Sequence, residues 1–340
     1  MAIVTWNSGG HIAACLRSLL EQARGVPIEV IVVDNGSHDD TVRIVRDEFP
    51  GVRLLEAGAN LGFPLANNLA LEHARGRHFM LLNPDARLLC DAPAVLSRFL
   101  DANPQAGAAG PRILESDGSP ALFSAREFPS LKSALLRYFG LRKLFPKSAL
   151  FGAETLADKL GDADAARVPC LTGAALMLRT DTLRALGGLD TDLPMYLEDI
   201  DLCARVTRTG GGCWFVPQAR VAHAGAGSSV LSPRRAQLLA AENGQAPWMF
   251  LRRHVSPVAA VAFSGLTFLG AIFRVGLCSL LLPLMRGELR EKLAAVCFEY
   301  RALLSWSLCD KDAFLIEFRA LFDYCPRPGA LTRFTQEAGQ

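Results

Sequence analysis

Short apolar runs alternate with helical patterns through the first 110 residues, which predicts successive strand–helix units. The runs at 3–6, 28–33, 52–55 and 79–82 read as strands, and helical patterns begin at Ile12, near residue 41 and near residue 64. Such alternation is typical of a parallel sheet with helices on both faces. The predicted fold class is therefore α/β, with a Rossmann-like, mostly parallel sheet.

The pattern becomes irregular over residues 115–168, which we interpret as an insertion that shapes an acceptor pocket. Within it, residues 131–147 mix Leu and Phe with five basic residues, Lys132, Arg137, Arg142, Lys143 and Lys147. A basic amphipathic helix at a membrane surface and an ordinary solvated helix face both explain this composition. Ordered patterns return over 170–230, with a strand at 175–178, a helix near 181–186, a helix from Glu198 and strands near Trp214 and Val221.

The last third of the chain is strongly apolar. Residues 255–285 carry one charge, Arg274, and the stretch 255–273 is about long enough to cross a bilayer. Pro257 and Pro283 interrupt the pattern, and basic residues at both ends give no orientation. We expect a membrane-embedded hairpin or an interfacial helix pair, with one spanning helix or a buried core helix as the alternatives. The predicted domains are 1–250, in two halves (1–110 and 111–250), and a helical membrane-associated region, 251–340.

Composition narrows the class of protein. The 340 residues are 50% hydrophobic and 21% charged, with a net charge of +2, which does not suggest nucleic-acid binding. Nine cysteines without a CxxC pair favour a reducing cytoplasm over a disulfide framework. The first residues do not resemble a signal peptide, so we expect the catalytic part at the cytoplasmic face of the inner membrane, attached peripherally, monotopically or by one span.

Polar residues follow several of the predicted strands, at the edge where open α/β sheets bind ligands. Asp34 ends a strand and precedes the turn Asn35-Gly36-Ser37, whose exposed amides suit a nucleotide, while its carboxylate can accept a hydrogen bond from a pyrimidine imide. Taken alone, the segment is equally a common strand–turn–helix.

A second such position follows the fourth strand, at Asn83-Pro84-Asp85. Hard oxygen ligands there suit Mg²⁺ or Mn²⁺ bridged to a diphosphate. A plain Asn-Pro-Asp turn is the simpler alternative.

Two further positions carry candidate chemistry. Glu198 and Asp199 begin a helix, where either carboxylate would serve as a general base, although the helix dipole alone also favours acids there. His223 precedes a Gly-rich loop ending in serines, so it is either a metal ligand or hydrogen-bond donor at a phosphate site, or a structural histidine.

In order and spacing, seven motifs resemble the GT-A domain of family 2 glycosyltransferases, and LNPD with EDIDLC resembles its rhamnosyltransferase-like group. The motifs are VTWNS (4–8), VVDNGSHDDT (32–41), NLGF (60–63), LLNPDA (81–86), TGAALMLR (172–179), GGLD (187–190) with YLEDIDLC (196–203), and His223 with Ser228. The likeness covers about residues 1–255, and it implies that 1–110 is the nucleotide-binding half and 111–250 the acceptor half of the first predicted domain.

The resemblance implies a role for each site residue. Thr5, Asn7 and Asp34 would hold the base and ribose of a nucleotide sugar, with Asn60 and Gly62 nearby. Asp85 would bind the divalent metal, while Asn83 replaces the first acid of the family's DxD motif, which weakens the expectation of strict metal dependence. Asp199 would be the general base, with Glu198 as its neighbour or substitute, in a single displacement that inverts the anomeric centre.

The leading hypothesis is transfer of a deoxyhexose, such as rhamnose, from a dTDP- or UDP-linked donor to a lipid-linked glycan or polysaccharide acceptor at a membrane surface. A sugar nucleotidyltransferase is a weaker alternative, because the loop after the first strand, NSGGHIAAC, has no basic residue before Arg17. An inactive membrane-associated assembly subunit of the same fold is the non-enzymatic alternative.

Overall fold

The computed structural model describes residues 1–121, 123–140, 156, 164–193, 196–224, 232–321 and 323–324. Within these residues the strands are β1 Ala2–Thr5, β2 Ile31–Asp34, β3 Arg53–Glu56, β4 His78–Leu82, β5 Ala86–Leu88, β6 Ala106–Leu114, β7 Ala125–Arg126, β8 Ala166–Val168, β9 Cys170–Leu171, β10 Ala175–Arg179 and β11 Gly212–His223. The helices are α1 Ile12–Gln22, α2 Thr41–Glu48, α3 Phe63–His73, α4 Ala92–Ala102, α5 Leu131–Tyr138, α6 Thr180–Ala185, α7 Glu198–Arg208, α8 Pro233–Ala240, α9 Ala246–His254, α10 Pro257–Leu281, α11 Gly287–Leu308 and α12 Lys311–Leu321.

A nine-stranded sheet has the order β3-β2-β1-β4-β10-β6-β11-β5, and β8 pairs with β11. The first four strands along the chain are parallel, as predicted, whereas β10 lies antiparallel between β4 and β6. Strands β7 and β9 form a separate antiparallel pair. The sheet is thus parallel in its first half and mixed in its second.

Both faces of the sheet are buried. Along β1, Ile3 packs into one hydrophobic cluster while Ala2 and Val4 pack into another on the opposite face, because successive strand side chains point to opposite sides. Each fully buried Ile or Val contributes about 1.5–3 kcal/mol to folding. Continuous apolar runs therefore become central strands.

Several predicted boundaries were wrong. The predicted strands 3–6 and 28–33 are Ala2–Thr5 and Ile31–Asp34. The two strands expected near Trp214 and Val221 are one strand, β11, with a register irregularity between Val216 and Arg220. Pro217 lies in that irregularity and has no N–H for the ladder, which explains the break in the pattern. The insertion 115–168 contains β7, α5 and β8 among its described residues.

Helices α8 to α12 form a third hydrophobic cluster together with α5. Helix α10 packs against α5, α9 and α11. By length and composition alone, Pro257–Leu284 is the one stretch of the described chain that is apolar enough to cross a membrane. The predicted helix in 131–147 is present as Leu131–Tyr138; Arg142, Lys143 and Lys147 lie outside the described residues.

One face of α10 is buried and the opposite face is exposed. Its inward residues include Ala259, Phe263 and Ala271. The exposed apolar face, which we call the outer stripe, comprises Val258, Val261, Leu269, Ile272, Phe273, Leu277 and Leu280. Arg274 turns inward: its Nε donates to the carbonyl of Tyr138 at 2.7 Å, and its guanidinium lies over the Tyr300 ring. The outer stripe therefore carries no charge.

Candidate active site

The carboxyl ends of β1 and β2 bring Thr5 and Asp34 together. The two residues are paired across the strands, and Thr5 Oγ1 donates to Asp34 Oδ1 at 3.1 Å. The backbone N–H groups of Gly36 and Ser37 donate to Asp34 Oδ2 at 3.1 and 2.9 Å. The carboxylate is thus fixed in orientation at the sheet edge, where the sequence placed it.

Asn7 holds the loop after β1 against the loop after β2. It adopts a positive φ of 51°, its N–H donates to Ser37 Oγ at 2.9 Å, and its Oδ1 accepts from the N–H of His38 at 2.8 Å. Its direct contact with a nucleotide stays a prediction.

Asn35 and Asn60, two further residues predicted to bind the nucleotide sugar, also hold loops in place. Asn35 Oδ1 accepts from the N–H of Leu61 at 3.2 Å, and Asn60 Oδ1 accepts from the N–H of Gly62 at 2.9 Å. Both asparagines are buried. A Cβ on Gly36, where φ is +75°, would lie 3.0 Å from Ala59 Cα, so only glycine allows this close approach of the two loops.

Asn83, Asp85 and His223 meet at the end of β4. The pairing of β5 with β11 places His223 opposite Ala86, and its Nε2 lies 3.2 Å from both Asp85 Oδ1 and Asn83 Nδ2. Burial by itself would raise the pKa of Asp85, but the hydrogen bond and charge of His223, with a contribution from His11, bring that pKa below its usual value. Asp85 therefore stays an anion at neutral pH.

Asn83, Asp85 and His223 would bind a divalent cation only if oxygen atoms of a substrate supplied further ligands. No group of three or more His, Cys, Asp or Glu side chains that could hold a metal occurs in the part of the chain that the structure describes. Yet Asp85 Oδ1 and His223 Nε2 are 3.2 Å apart, and two ligands at right angles about 2.1 Å from an octahedral ion are roughly 3.0 Å apart. Two protein ligands plus diphosphate oxygens match the chemistry of such a site.

The start of β10 links the Asn83–Asp85 turn to Glu198 and Asp199. The N–H of Asn83 donates to the carbonyl of Ala174 at 2.9 Å, and the N–H of the preceding residue, Gly173, donates to Asp199 Oδ2 at 3.0 Å. A Cβ on Gly173 would lie 3.3 Å from Asp199 Cβ, which makes the approach tight. Asp34, Asp85 and Asp199 thus follow one another along one edge of the sheet.

Arg126 is a site residue that the sequence analysis missed. Its Nη2 donates to Asp199 Oδ2 at 2.7 Å, because the pairing of β7 with β9 sets Arg126 opposite Cys170, three residues before Gly173. Asp199 Oδ1 accepts one described hydrogen bond, from the N–H of Ile200 at 2.8 Å. The ion pair fixes one oxygen and leaves the second with a lone pair for a proton. Because β7 lies in the irregular insertion, no periodic signal pointed to this arginine.

Glu198 differs from Asp199 in its surroundings. Burial, followed by the neighbouring charge of Asp199, raises the pKa of Glu198 to about 8. Its Oε2 accepts from the N–H of Leu197 at 2.9 Å. At neutral pH Glu198 is therefore mainly a neutral acid that can donate a hydrogen bond, and the role of Asp199 as the base stays a prediction.

We expect Glu198→Gln to flatten the dependence of stability on pH. Because the folded pKa lies above the ordinary value of 4.5, the stability that protonated Glu198 contributes is complete below that value and is lost as pH rises through about 8. Between these two pH values the stability of the wild type should fall as pH rises. Denaturation from pH 5 to 9 should therefore show the variant more stable than wild type at pH 8. The exposed Glu288→Gln serves as control, and parallel profiles for wild type and Glu198→Gln would contradict the assignment.

Ser228 and residues 225–231, which the sequence suggested as a phosphate-covering loop, lie outside the described residues.

Comparison with known sequences gives a consistent picture. The sequence model described as Glycosyl transferase family 2 matches residues 1–157. N-acetylglucosaminyl-diphospho-decaprenol L-rhamnosyltransferase of Mycobacterium tuberculosis is 34% identical over 248 residues, covering 68% of this chain and 77% of that protein. Rhamnosyltransferase WbbL of Escherichia coli K12 is 23% identical, covering 66% of this chain and 83% of its own length.

Solved structures share the fold. A mannosyltransferase from Pyrobaculum calidifontis, solved with GDP-mannose and Mn²⁺, matches with a TM-score of 0.52 and 20% identity, covering 99% of this chain and 83% of that one. GalNAc-T7, solved with UDP, GalNAc and Mn²⁺, matches with a TM-score of 0.53 and 14% identity over 96% of this chain and 58% of that one. Both likenesses confirm the predicted GT-A architecture.

Proposed function

This chain belongs to glycosyl transferase family 2 and is a glycosyltransferase, and on that basis we propose that it transfers a deoxyhexose, rhamnose from dTDP-rhamnose, to a lipid-linked acceptor. The mycobacterial relative is named for rhamnosyl transfer to N-acetylglucosaminyl-diphospho-decaprenol, which supports both the donor and the acceptor class. UDP is the alternative nucleotide of the donor.

The observation that carries the proposal is the row Asp34, Asp85 and Asp199 along one sheet edge, joined through Thr5 and Gly173. A nucleotide sugar laid along this row would set its base beside Asp34, its diphosphate at Asp85 and His223, and its sugar before Asp199. The neutral Glu198 then offers a hydrogen bond beside that sugar.

The base in this reaction is Asp199. Its Oδ1 would accept the proton of the acceptor hydroxyl as the acceptor oxygen bonds to the anomeric carbon and the bond to the diphosphate breaks. Arg126 and Gly173 hold the other oxygen, Oδ2, so the carboxylate keeps its orientation during the transfer. Attack from the side opposite the leaving group inverts the anomeric centre without a covalent intermediate on the enzyme.

At the leaving-group end, Asp85 and His223 would hold the cation, with Asn83 beside them. Mg²⁺ or Mn²⁺ bound there would neutralise the charge that develops on the diphosphate. His223, in contact with Asp85, can also donate a hydrogen bond to a phosphate oxygen.

The outer stripe supports attachment of the enzyme to a membrane as a monotopic protein, and we propose the cytoplasmic face for it. Along α10 one side is covered by protein, so a helix standing alone across the bilayer does not fit this packing. Exposed basic residues lie at both ends of the helix, at Arg252, Arg286 and Arg290, where they can meet anionic headgroups, whereas Arg253 pairs with Asp190. The favoured arrangement is interfacial, with the outer stripe among the acyl chains.

We expect the triple variant Val261→Glu, Leu269→Glu, Leu280→Glu to lose binding to vesicles that contain anionic lipid. These side chains are 58–71% exposed, and burying each is worth about 1.5 kcal/mol or more, so affinity should fall at least about tenfold. Vesicle co-sedimentation measures it. A matched variant, Leu20→Glu with Leu89→Glu, changes exposed leucines within residues 1–110 and should bind the vesicles as the wild type does. Equal binding by both variants would contradict this mode of attachment.

The function itself is tested by incubating the full chain with a panel of nucleotide sugars, Mn²⁺ and a polyprenyl-diphosphate-linked N-acetylglucosamine in detergent or vesicles. Release of dTDP and a product heavier by one deoxyhexose are expected. Transfer of a different sugar would overturn the donor assignment, and nucleotide release without a lengthened lipid product would overturn the acceptor.

A further inference from the structure

Asp201 is a buried carboxylate that the proposed transfer does not use, although it lies in the first turn of α7, two residues after Asp199. Its Oδ2 accepts from Arg205 Nε at 2.6 Å, and its Oδ1 lies 2.8 Å from His254 Nε2. The side chains of Asp201 and His254 are 3% and 7% exposed. Burial by itself would raise the pKa of Asp201, but the hydrogen bonds of His254 and Arg205 bring that pKa below its usual value, so Asp201 stays an anion.

His254 supplies one hydrogen bond, from Nε2. Its other ring nitrogen, Nδ1, is buried and has no hydrogen-bond partner in the part of the chain that the structure describes. A proton on Nδ1 would therefore lack an acceptor, so we assign the proton to Nε2, which makes His254 the donor and Asp201 the acceptor. The imidazole also stacks on the Phe250 ring, with the two ring centroids 4.8 Å apart. One hydrogen bond and one stacked ring thus fix its orientation.

His254 joins α7 to the helices that carry the outer stripe. It is the last residue of α9, and α10 begins soon after it, at Pro257. Arg205 lies on α7 itself, so its bond to Asp201 does not fix α7 against another element. Helix α7 also begins without a side-chain cap, since Leu197 precedes it. The bond between His254 and Asp201 therefore holds the first turn of α7 on the end of α9.

The ion-pair partner of Asp199 is connected to the same histidine. Phe128 follows Arg126 by two residues, and its ring stacks on Phe250 with the centroids 5.2 Å apart. Phe250 in turn stacks on His254. Asp199 is thus connected to His254 through α7, and Arg126 through two stacked rings. Because this ion pair sets the direction of the Asp199 carboxylate, its geometry depends on how α7 and β7 lie against the end of α9.

We propose that Asp201 and His254 are positioning residues, which hold the first turn of α7 so that Asp199 Oδ1 faces the acceptor hydroxyl. The inference rests on the proposed transfer with Asp199 as the base, and it adds two buried residues outside the row of Asp34, Asp85 and Asp199. Misplacing a reacting group by about 1 Å can cost about a hundredfold in rate. Loss of the bond should therefore lower kcat and leave donor binding unchanged, because Asp34 and Asp85 lie on other elements.

Two substitutions of His254 test the proposal in the full chain. His254→Phe keeps a ring on Phe250 but has no donor, whereas His254→Gln places an amide N–H near the position of Nε2 and keeps the bond to Asp201. We expect His254→Phe to lower kcat by about ten- to a hundredfold with the donor KM within about twofold of wild type, and His254→Gln to recover most of that loss. The control His73→Phe, at the end of α3, should keep the wild-type kcat. If His254→Phe is not recovered folded, His254→Met, which also lacks a donor, takes its place.

A double variant separates positioning from a general weakening of the fold. If His254 acts through Asp199, His254→Phe should change the residual kcat of Asp199→Asn by less than about twofold, because that protein has no base left to position. An equal loss in both backgrounds would overturn the proposal, as would a wild-type kcat in His254→Phe or a rise in the donor KM alone. Normal turnover by Asp199→Asn would refute the base itself, whereas a slow Asp199→Asn beside an unimpaired His254→Phe refutes the positioning alone. All variants are assayed with the sugar that the wild type transfers, so a different donor leaves the comparison intact.

Discussion

Replacing Asp199 by asparagine is expected to lower the rate of sugar transfer by about 10²- to 10⁴-fold while leaving donor affinity nearly unchanged. The amide cannot take the proton from the acceptor hydroxyl, yet it has the same shape and can still accept from the N–H of Gly173. Initial rates of product formation give the first quantity, and calorimetry with the nucleotide sugar gives the second.

The matched control for this prediction is the neighbouring Glu198→Gln. Because Glu198 is mainly protonated at neutral pH, its replacement by a neutral amide, which can also donate a hydrogen bond, removes no base, so the rate of this variant should fall much less. Normal turnover by Asp199→Asn would rule out Asp199 as the base. A large loss of transfer rate in Glu198→Gln together with a small one in Asp199→Asn would mean that Glu198, and not Asp199, is the base.

Asp85→Asn is the second substitution with a large expected effect, a fall in turnover of about 10²- to 10³-fold. It removes the carboxylate at the point where the diphosphate and the cation would meet, and it leaves His223 without its anionic partner. Donor binding by the variant should also cease to strengthen when Mn²⁺ is added, as a titration with and without the ion would show.

A substitution of Asn83, two residues before Asp85, should have the opposite effect on the dependence of donor binding on Mn²⁺. Asn83→Asp restores an acid where the family's DxD motif has one, so its donor binding should depend more strongly on Mn²⁺ than that of the wild type. A wild type that works equally well in chelator, with Asp85→Asn unimpaired, would remove the cation from the mechanism.

The sequence predicted the first half of the sheet, where each strand and helix has its own pattern of apolar residues. Strands β1, β2 and β4 are mostly apolar runs. Asp34 is the last residue of β2 and Asp85 follows β4, so the sheet edge and its acids could be predicted from the sequence. The resemblance to the family then implied a role for each of these positions.

Residues that reach the site through long-range pairing could not be predicted from the sequence. Arg126 reaches Asp199 through the two-residue pairing of β7 with β9, and Tyr324 reaches Asn60 from the far end of the chain. Neither contact has a local pattern, because each depends on the packing of segments more than 70 residues apart. The role of Glu198 was likewise set by burial, which the motif alone does not reveal.

The contact between α5 and α10 limits how this enzyme can be re-engineered. Gly270 lies directly against Tyr138, so any larger residue there would collide with it, and Thr267 Oγ1 donates to the Tyr138 hydroxyl at 3.0 Å. Tyr138 in turn ends the helix that begins five residues after Arg126. A shortened enzyme cut before α10 would therefore lose a packing partner of α5, the helix that follows Arg126. Hybrid enzymes that join the first 250 residues of one relative to α10 of another separate Tyr138 from Thr267 and Gly270, so they should work only when the two parents carry matching residues at this contact.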